Sequence, residues 1–269
     1  MYNFVAKLLN FIESSIDQAS TDIVIAEYIL KNVHQIPDMS IHELAHACHT
    51  SPATVTRFCR KFDNVSFKEL KEYARTFNEF NSSEVDYQEI EKNVNHNEIA
   101  NYFEHAQVSL NETLKLLDSK SLFSIAAKIH RSKKISFFGV TFSHVIARNA
   151  QFKFLRLGKH ALSYSNHENQ LSEAESQSED LAFIISFSGN TRFITRLTKV
   201  LTRQRTPIIA VTSDPHSFLA QRATDIIQVS SQKLKTYKSP LVEELSLQSA
   251  INSLYLVYST YLHRLENSK

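Results

Sequence analysis

The spacing of apolar positions in this chain changes about a third of the way along it. Residues 1–79 repeat apolar side chains at helical intervals, as in Ile23, Ala26 and Ile29, and therefore predict packed helices. From about residue 135, short apolar runs alternate with helical patterns. This alternation predicts a parallel sheet with helices on both faces. We therefore expect an α plus α/β chain, with an all-helical first domain and a three-layer α/β/α second domain.

Five short apolar runs are expected to form the five strands of the parallel sheet. They are residues 135–138, 162–164, 183–187, 208–211 and 226–229. The helices predicted around them cover residues 102–118, 190–204, 216–223 and 241–265, and a further helix follows the turn at 139–143 and ends at residue 157. In such a sheet, ligands bind at the carboxyl ends of the strands, near the point where the strand order reverses.

A polar and acidic stretch, residues 80–101, separates the two regions and carries no persistent hydrophobic stripe. This composition is typical of a linker. The predicted organisation is a helical domain at residues 1–79, a linker at 80–101 and an α/β domain at 102–269. A chain of 269 residues is long enough for two domains with ordinary cores.

The composition is that of a globular chain, with 42% apolar and 22% charged residues. No apolar run approaches the roughly 20 residues of a membrane-spanning helix, so we expect no membrane association. Cys48 and Cys59 fall at apolar positions of predicted helices, which favours reduced, buried thiols in a cytoplasmic protein over a disulfide. The formal net charge of +2 is too small to indicate a partner.

Residues 40–62 predict two short helices joined by a tight turn. Ser40 is placed to cap the first helix, with Glu43 at the capping-box position. The turn follows at residues 49–51, and Ser51 then caps the second helix with Pro52 at its first position. This arrangement is typical of a helix-turn-helix motif that binds DNA.

The second helix presents small and basic side chains on the face opposite its apolar stripe. Val55, Phe58, Cys59 and Phe62 form the stripe expected to be buried. The candidate DNA-binding residues are Ser51, Ala53, Thr54, Thr56, Arg57, Arg60 and Lys61, with Lys68, Lys71 and Arg75 extending the phosphate footprint. The alternative interpretation is an ordinary helical hairpin with a solvated basic face.

Two turns rich in glycine and hydroxyl residues follow predicted strands, at residues 139–143 and 186–191. Gly189 permits a tight turn, the following helix offers free backbone N–H groups, and the hydroxyls can donate to anionic oxygens. A simpler interpretation is a strand-to-helix turn with a serine cap. Because two such turns are expected at one sheet edge, and neither GxGxxG nor a P-loop is present, a small phosphorylated ligand is favoured over a nucleotide.

The combination of SxxELAxxxxxSxATVxRFCRK, GxxxS and SxSGxT resembles the RpiR family of bacterial transcription regulators. The resemblance implies a helix-turn-helix domain joined to a sugar isomerase (SIS) domain, and a homodimer or homotetramer whose affinity for a double-stranded DNA operator changes on binding a phosphosugar. It implies no catalytic residues, cofactor or metal. The candidate effector-binding residues are Thr141, Ser143, Ser186, Ser188, Asn190, Thr191 and Glu244.

Three positions depart from the pattern of that family. Thr141 replaces the second glycine of the usual GxGxS loop, and a side chain there is expected to impose strain if the backbone needs a positive φ. His49 stands in the helix-turn-helix turn where many relatives have glycine. Asn64 follows the second helix and tolerates the left-handed conformation.

Two other functions remain open from the sequence. SIS domains also form aldose–ketose phosphate isomerases, which need a positioned base; Glu243, Glu244, His144 and His167 are candidates. Carboxylates in the first turn of a helix are also explained by the helix dipole. In the other alternative, the SIS domain regulates a protein partner instead of DNA. No His/Cys pair stands at metal-ligand spacing.

Overall fold

The structure is a computed structural model, which describes residues 3–15, 17, 19–81, 97–176 and 180–267. The chain divides into two compact units, Met1–Val85 and Asp86–Lys269. One helix ends at Asn81 and another begins at Glu98, so both extend into the range 80–101 expected as a linker. The rest of that range, residues 82–96, lies outside the described residues. The domain boundaries remain a prediction.

The described part of the N-terminal unit is helical, as the apolar spacing predicted. Its helices are α1 (Asn3–Ser14), α2 (Thr21–Lys31), α3 (Ile41–Ala47), α4 (Pro52–Asp63) and α5 (Phe67–Asn81). They share a core in which Ile25, Leu44, Val55 and Phe58 are fully buried. The free thiols of Cys48 and Cys59 lie in the same core, and burial raises the pKa of Cys59 to about 11.

The predicted caps of α3 and α4 are confirmed. The Ser40 hydroxyl accepts a hydrogen bond from the Glu43 backbone N–H at 3.2 Å, and the Glu43 carboxylate accepts one from the Ser40 N–H at 2.6 Å. Ser51 accepts from the Thr54 N–H at 3.2 Å. These bonds satisfy N–H groups that the first turn of a helix leaves without backbone partners.

The turn between α3 and α4 forms without glycine. The Thr50 N–H donates to the Ala45 carbonyl at 2.8 Å and the His49 N–H donates to His46 at 3.0 Å, which together make a Schellman motif. His49 adopts the left-handed conformation that this motif requires, with φ 51°. Asn64 ends α4 in the same conformation, at φ 52° and ψ 33°, as its side chain predicted.

The C-terminal unit alternates strands and helices. Its elements are α6 (Glu98–Leu116), α7 (Ser119–Arg131), β1 (Ile135–Phe138), α8 (Phe142–Arg156), β2 (Ala161–Ser163), α9 (His167–Ser176), β3 (Leu181–Ile185), α10 (Arg192–Arg203), β4 (Ile208–Thr212), a 3-10 turn (Ala220–Arg222), β5 (Asp225–Gln228) and α11 (Leu241–Glu266). The strands form the five-stranded parallel sheet that the sequence predicted, in the order β2-β1-β3-β4-β5.

Helices cover both faces of the sheet, because the inner strands are apolar on both sides. Along β3, Phe183 and Ile185 pack in a cluster with residues of α7, α8 and α11. The intervening Ala182 and Ile184 pack in a second cluster with residues of α9 and α10. The predicted three-layer architecture is therefore confirmed.

Several predicted boundaries were wrong. The strand expected at 183–187 spans Leu181–Ile185, because Leu181 already pairs with Ile135 and the chain leaves the sheet after Ile185. The runs expected at 162–164 and 226–229 begin one residue earlier, and the helix expected at 102–118 is Glu98–Leu116. The helix expected at 216–223 is only a 3-10 turn. Helices α7 and α9 were not predicted.

Candidate functional site

The two glycine- and hydroxyl-containing loops follow neighbouring strands. The last residue of β1, Phe138, pairs with Ile184 near the end of β3, so both loops begin at the same edge of the sheet. The chain passes from β1 to β2 on one side and then returns to β3 on the other, which makes β1/β3 the point where the strand order reverses. Ligands of open α/β sheets bind at this point.

The first loop is held in a strained conformation. Thr141 has φ 51° and ψ −122°, a combination that L-residues rarely adopt and glycine adopts easily. Its hydroxyl donates to the Val140 carbonyl at 2.7 Å and does not cap α8. Gly139 is also required, because a Cβ there would lie 2.6 Å from the Ser143 carbonyl oxygen. The strain expected at Thr141 is therefore present.

A buried glutamine supports the same loop. The Gln170 side chain, on α9, is fully buried and donates from its Nε2 to the Gly139 carbonyl at 2.9 Å. Because α9 was not predicted, no pattern in the sequence indicated this residue. Ser143 is half-buried in the first turn of α8. Beside it, burial and the nearby Arg148 lower the pKa of His144, which favours a neutral imidazole.

A hydrogen bond fixes the centre of the second loop, whereas two of its hydroxyl residues are exposed. The buried Ser186 hydroxyl accepts from the Gly189 N–H at 3.2 Å, and Gly189 has φ 62°. A Cβ at Gly189 would lie 2.3 Å from the Ser217 hydroxyl oxygen. Ser188 and Thr191 are exposed, and in the described part of the chain neither hydroxyl has a hydrogen-bond partner. These two hydroxyls are therefore available to a ligand.

Asn190 connects this loop to the segment after β4. Its Oδ1 accepts from the Phe218 N–H at 2.8 Å, and its Nδ2 lies 3.4 Å from the Asp214 carboxylate. Asp214 and Ser217 therefore belong to the loop's support, although the sequence did not single them out. The pattern that could have indicated Asp214 and Ser217 is the polar run that follows the apolar residues 208–211.

The helices that follow both loops favour an anion. The first turns of α8 and α10 contain no acidic residue, and neither N-cap side chain makes a capping hydrogen bond. The first backbone N–H groups of each helix consequently lack a side-chain acceptor, and the positive end of each helix dipole is uncompensated. Such helix ends bind phosphate.

Glu243 and Glu244 lie in the first turn of α11. Burial raises the pKa of both carboxyl groups, and the charge of Glu243 raises that of Glu244 further. The positive charge of Lys233 lowers the pKa of Glu243, against the larger effect of burial. The Lys233 ammonium nitrogen also lies 5.3 Å from the ring centroid of Phe187, in the second loop. Lys233 therefore links the start of α11 to that loop. The other candidate base, His167, stacks on Phe193 with ring centroids 3.8 Å apart.

The candidate DNA-binding face lies on α4. Ala53, Arg57 and Arg60 are exposed at spacings of four and three residues, so they share one side of the helix. Among the described residues, neither arginine has an ion-pair or hydrogen-bond partner. Lys61 pairs with Asp22 of α2 at 2.6 Å, which places it at the edge of this face.

The three candidate hydroxyls of the DNA-binding motif already have partners within the helix. Ser51 and Thr54 lie 3.0 Å apart, oxygen to oxygen, at the N-cap of α4. Thr56 donates to the Pro52 carbonyl at 3.0 Å. Part of their role is therefore to shape α4. The contribution of every candidate site residue to binding remains a prediction.

Two kinds of feature are absent from the described residues. They contain no cluster of three or more His, Cys, Asp or Glu side chains able to hold a metal ion. Within the same residues, no helix is long and apolar enough to cross a membrane.

Two protein families match this chain. The helix-turn-helix domain of the rpiR family matches residues 6–74, and the SIS domain matches residues 128–258. The first match covers α3 and α4 with their turn, and the second covers the sheet with both candidate loops.

The chain also resembles curated relatives along most of its length. A helix-turn-helix-type transcriptional regulator from Caldanaerobacter subterraneus subsp. tengcongensis is 28% identical over 270 residues, with 95% of this chain and 93% of the relative covered. The regulator HexR of Escherichia coli K12 is 27% identical over 256 residues, with 92% and 86% covered.

Among solved structures, the Vibrio vulnificus NanR protein complexed with ManNAc-6P superposes with a TM-score of 0.57. The two chains are 22% identical, and the match covers 98% of this chain and 94% of NanR. The SIS-type fold is shared with isomerases as well. A putative sugar-phosphate isomerase from Listeria monocytogenes matches with a TM-score of 0.54 at 20% identity, covering 66% of this chain and 93% of its own.

Proposed function

We propose that this chain, which belongs to the RpiR family of helix-turn-helix transcription regulators with a SIS domain, binds a DNA operator under the control of a phosphosugar. It acts as a homo-oligomer in the cytoplasm, where the bacterial chromosome lies, and not as an enzyme. The observation that carries the proposal is the pair of loops at the β1/β3 edge, each followed by a helix whose N-terminus lacks an acidic residue.

The α4 face supports the DNA-binding part of this proposal. Arg57 and Arg60 are exposed and free of intramolecular partners in the described residues, so their guanidinium groups are available for base edges or phosphates. In a helix-turn-helix dimer, the two recognition helices bind half-sites about 34 Å apart, one turn of DNA. A ligand that changes this separation changes operator affinity.

The two loops support the phosphosugar part. The hydroxyls of Ser143, Ser188 and Thr191 and the backbone N–H groups of α8 and α10 can surround a dianionic phosphate. The similarity to NanR, which was solved with a phosphosugar, agrees with this chemistry. Thr141 keeps the backbone shape of a glycine position, and its hydroxyl is turned towards the Val140 carbonyl.

The experiment is a calorimetric titration of the full chain with a panel of sugar phosphates and their unphosphorylated sugars. We expect one phosphosugar to bind and its unphosphorylated sugar to fail. Ser188→Ala should weaken this binding at least tenfold and leave operator affinity without effector unchanged. Thr202→Ala, an exposed position at the far end of α10, is the control and should bind normally. Equal binding by Ser188→Ala would exclude the second loop from the phosphate site.

An aldose–ketose phosphate isomerase is the second candidate. Its supporting observation is the raised pKa of Glu243 and Glu244, since a carboxyl group poised nearer neutrality is a better proton shuttle. Incubation with each sugar phosphate that binds should yield no isomer if the chain is only a sensor. Turnover that disappears in Glu244→Gln would instead support the enzyme. Phosphosugar binding without any operator would favour a regulator of a protein partner.

A further inference from the structure

Helix α6 exposes an apolar stripe that no other described residue covers. Ile99, Phe103, Leu110 and Leu114 are 71%, 57%, 41% and 70% exposed. Successive members are four, seven and four residues apart, so they lie along one side of the helix for about 22 Å. The neighbouring side of α6, with Ala106, Ser109 and Thr113, is buried. The stripe is therefore additional apolar surface and not part of the folded core.

The stripe has the size of the apolar part of a protein interface. With side chains of roughly 170 Å², these exposed fractions leave roughly 400 Å² of apolar surface. Monomeric proteins rarely expose a contiguous patch larger than a few hundred Å². A standard interface buries roughly 800 Å² per partner, of which a little over half is apolar.

The spacing of the stripe is the same in both directions along the helix. When two copies of α6 pair in antiparallel orientation about a two-fold axis beside Gln107, Ile99 faces the partner's Leu114 and Phe103 faces the partner's Leu110. All four contacts are apolar in this single register. An isologous interface requires such self-complementarity, in which the same patch serves both subunits.

The described residues of the N-terminal unit offer no matching surface. The large apolar side chains that are exposed in its described part are Leu9, Val24 and Tyr73, on three different helices. They form no stripe that would cover the length of α6. A second copy of the chain is the occupant whose surface matches.

We propose that the α6 stripe is a dimer interface, in which the stripes of two copies pack as an antiparallel helix pair. This inference deepens the proposed function, because it states which surface brings two helix-turn-helix units together. Since α6 lies in sequence between the helix-turn-helix match (residues 6–74) and the SIS match (residues 128–258), a change in its packing would alter the separation of the two recognition helices.

The first test is the mass of the full chain in solution, measured by light scattering without DNA or sugar phosphate. We expect Phe103→Glu and Leu114→Glu each to lower the mass at least twofold, because a carboxylate would be buried among apolar side chains. Both positions are exposed in the single chain, so folding should be retained, and circular dichroism checks this. A wild-type monomer, or variants that keep the wild-type mass, would overturn the proposal.

Phe152→Glu is the matched control, since Phe152 is also an exposed phenylalanine, at 59%, but lies on α8. It should keep the wild-type mass. A loss of mass in Phe152→Glu with retention in Phe103→Glu would place the contact on α8 and overturn the proposal.

The second test examines the register. Gln107→Cys lies next to the proposed axis and should give a covalent dimer with a short bis-maleimide, whereas Arg203→Cys on α10 should not. Both native cysteines are buried and react slowly. Absence of the Gln107→Cys cross-link would overturn the antiparallel pairing. These outcomes do not depend on ligands, so a dimer that binds neither DNA nor sugar phosphate would refute the proposed function alone.

Discussion

The side-chain oxygen of Asn190 accepts a hydrogen bond from the backbone N–H of Phe218, 2.8 Å away. These residues are far apart in sequence, and their contact joins the loop after β3 to the loop after β4. With the Ser186–Gly189 bond, it fixes the shape of the candidate phosphate loop before any ligand is present. The loop is preorganised, which reduces the entropy lost on binding.

Asn190→Ala should destabilise the chain by about 1 kcal/mol, because the Phe218 N–H loses its acceptor. It should also weaken phosphosugar binding, since the loop is no longer held in shape. Urea unfolding and calorimetric titration measure the two effects. Asn169→Ala, at an exposed position of α9, should change neither. An Asn190→Ala chain with wild-type stability would show that the bond is not significant.

Thr141→Gly should stabilise the chain by about 1 kcal/mol. Relief of an unfavourable backbone conformation is worth roughly 1–3 kcal/mol, and the added freedom of glycine in the unfolded chain removes roughly 0.5–1 kcal/mol of this. Urea unfolding is the measurement. Gly139→Ala is the comparison and should destabilise by roughly 1–3 kcal/mol, because its Cβ meets the Ser143 carbonyl. A destabilised Thr141→Gly would mean that the threonine side chain contributes more than its backbone strain costs.

Arg57→Ala should weaken specific operator binding by about 1–3 kcal/mol, because an exposed guanidinium on the recognition helix loses its base or phosphate contacts. The measurement is fluorescence anisotropy with a fragment selected from genomic DNA, at several salt concentrations. Arg203→Ala, an exposed arginine in the other unit, should bind like the wild type. Unchanged affinity in Arg57→Ala would favour the protein-partner alternative.

Glu243→Gln should alter how stability depends on pH. Burial raises the pKa of Glu243 above its ordinary value of 4.5, so folding favours the protonated form. The associated stability is present at low pH and is lost as the pH rises through the raised pKa. The glutamine variant should therefore gain stability relative to the wild type as the pH rises. Urea unfolding between pH 4 and 8 tests this, and Glu104→Gln, at an exposed position of α6, should follow the wild type.

Local hydrogen-bonding and apolar patterns predicted the features that depend on neighbouring residues. Residues within a few helical turns of one another specify the capping box of Ser40 and Glu43 and the burial of Val55 and Phe58. The two loops followed from apolar runs interrupted by glycine and hydroxyl residues, and the sheet order then placed them side by side.

Helix α9 shows what such patterns miss. Its residues are mostly polar, and two of those that it buries, Gln170 and Glu173, are polar as well. Gln170 is stabilised there by the Gly139 carbonyl, and the Glu173 carboxylate by the Ser136 hydroxyl and Lys134. These partners lie on β1 and beside it, more than 30 residues away in sequence. Only the folded chain brings them together, so periodicity along the sequence could not reveal the helix.

The burial of β3 on both faces limits how a signal can leave the candidate phosphate site. Phe183 and Ile185 are locked into one helix layer and Ala182 and Ile184 into the other, so the strand cannot slide without disturbing both cores at once. The strands are therefore expected to keep their positions relative to one another. If a ligand occupies the loop, we expect the helices on the two faces of the sheet to shift while the strands keep their positions.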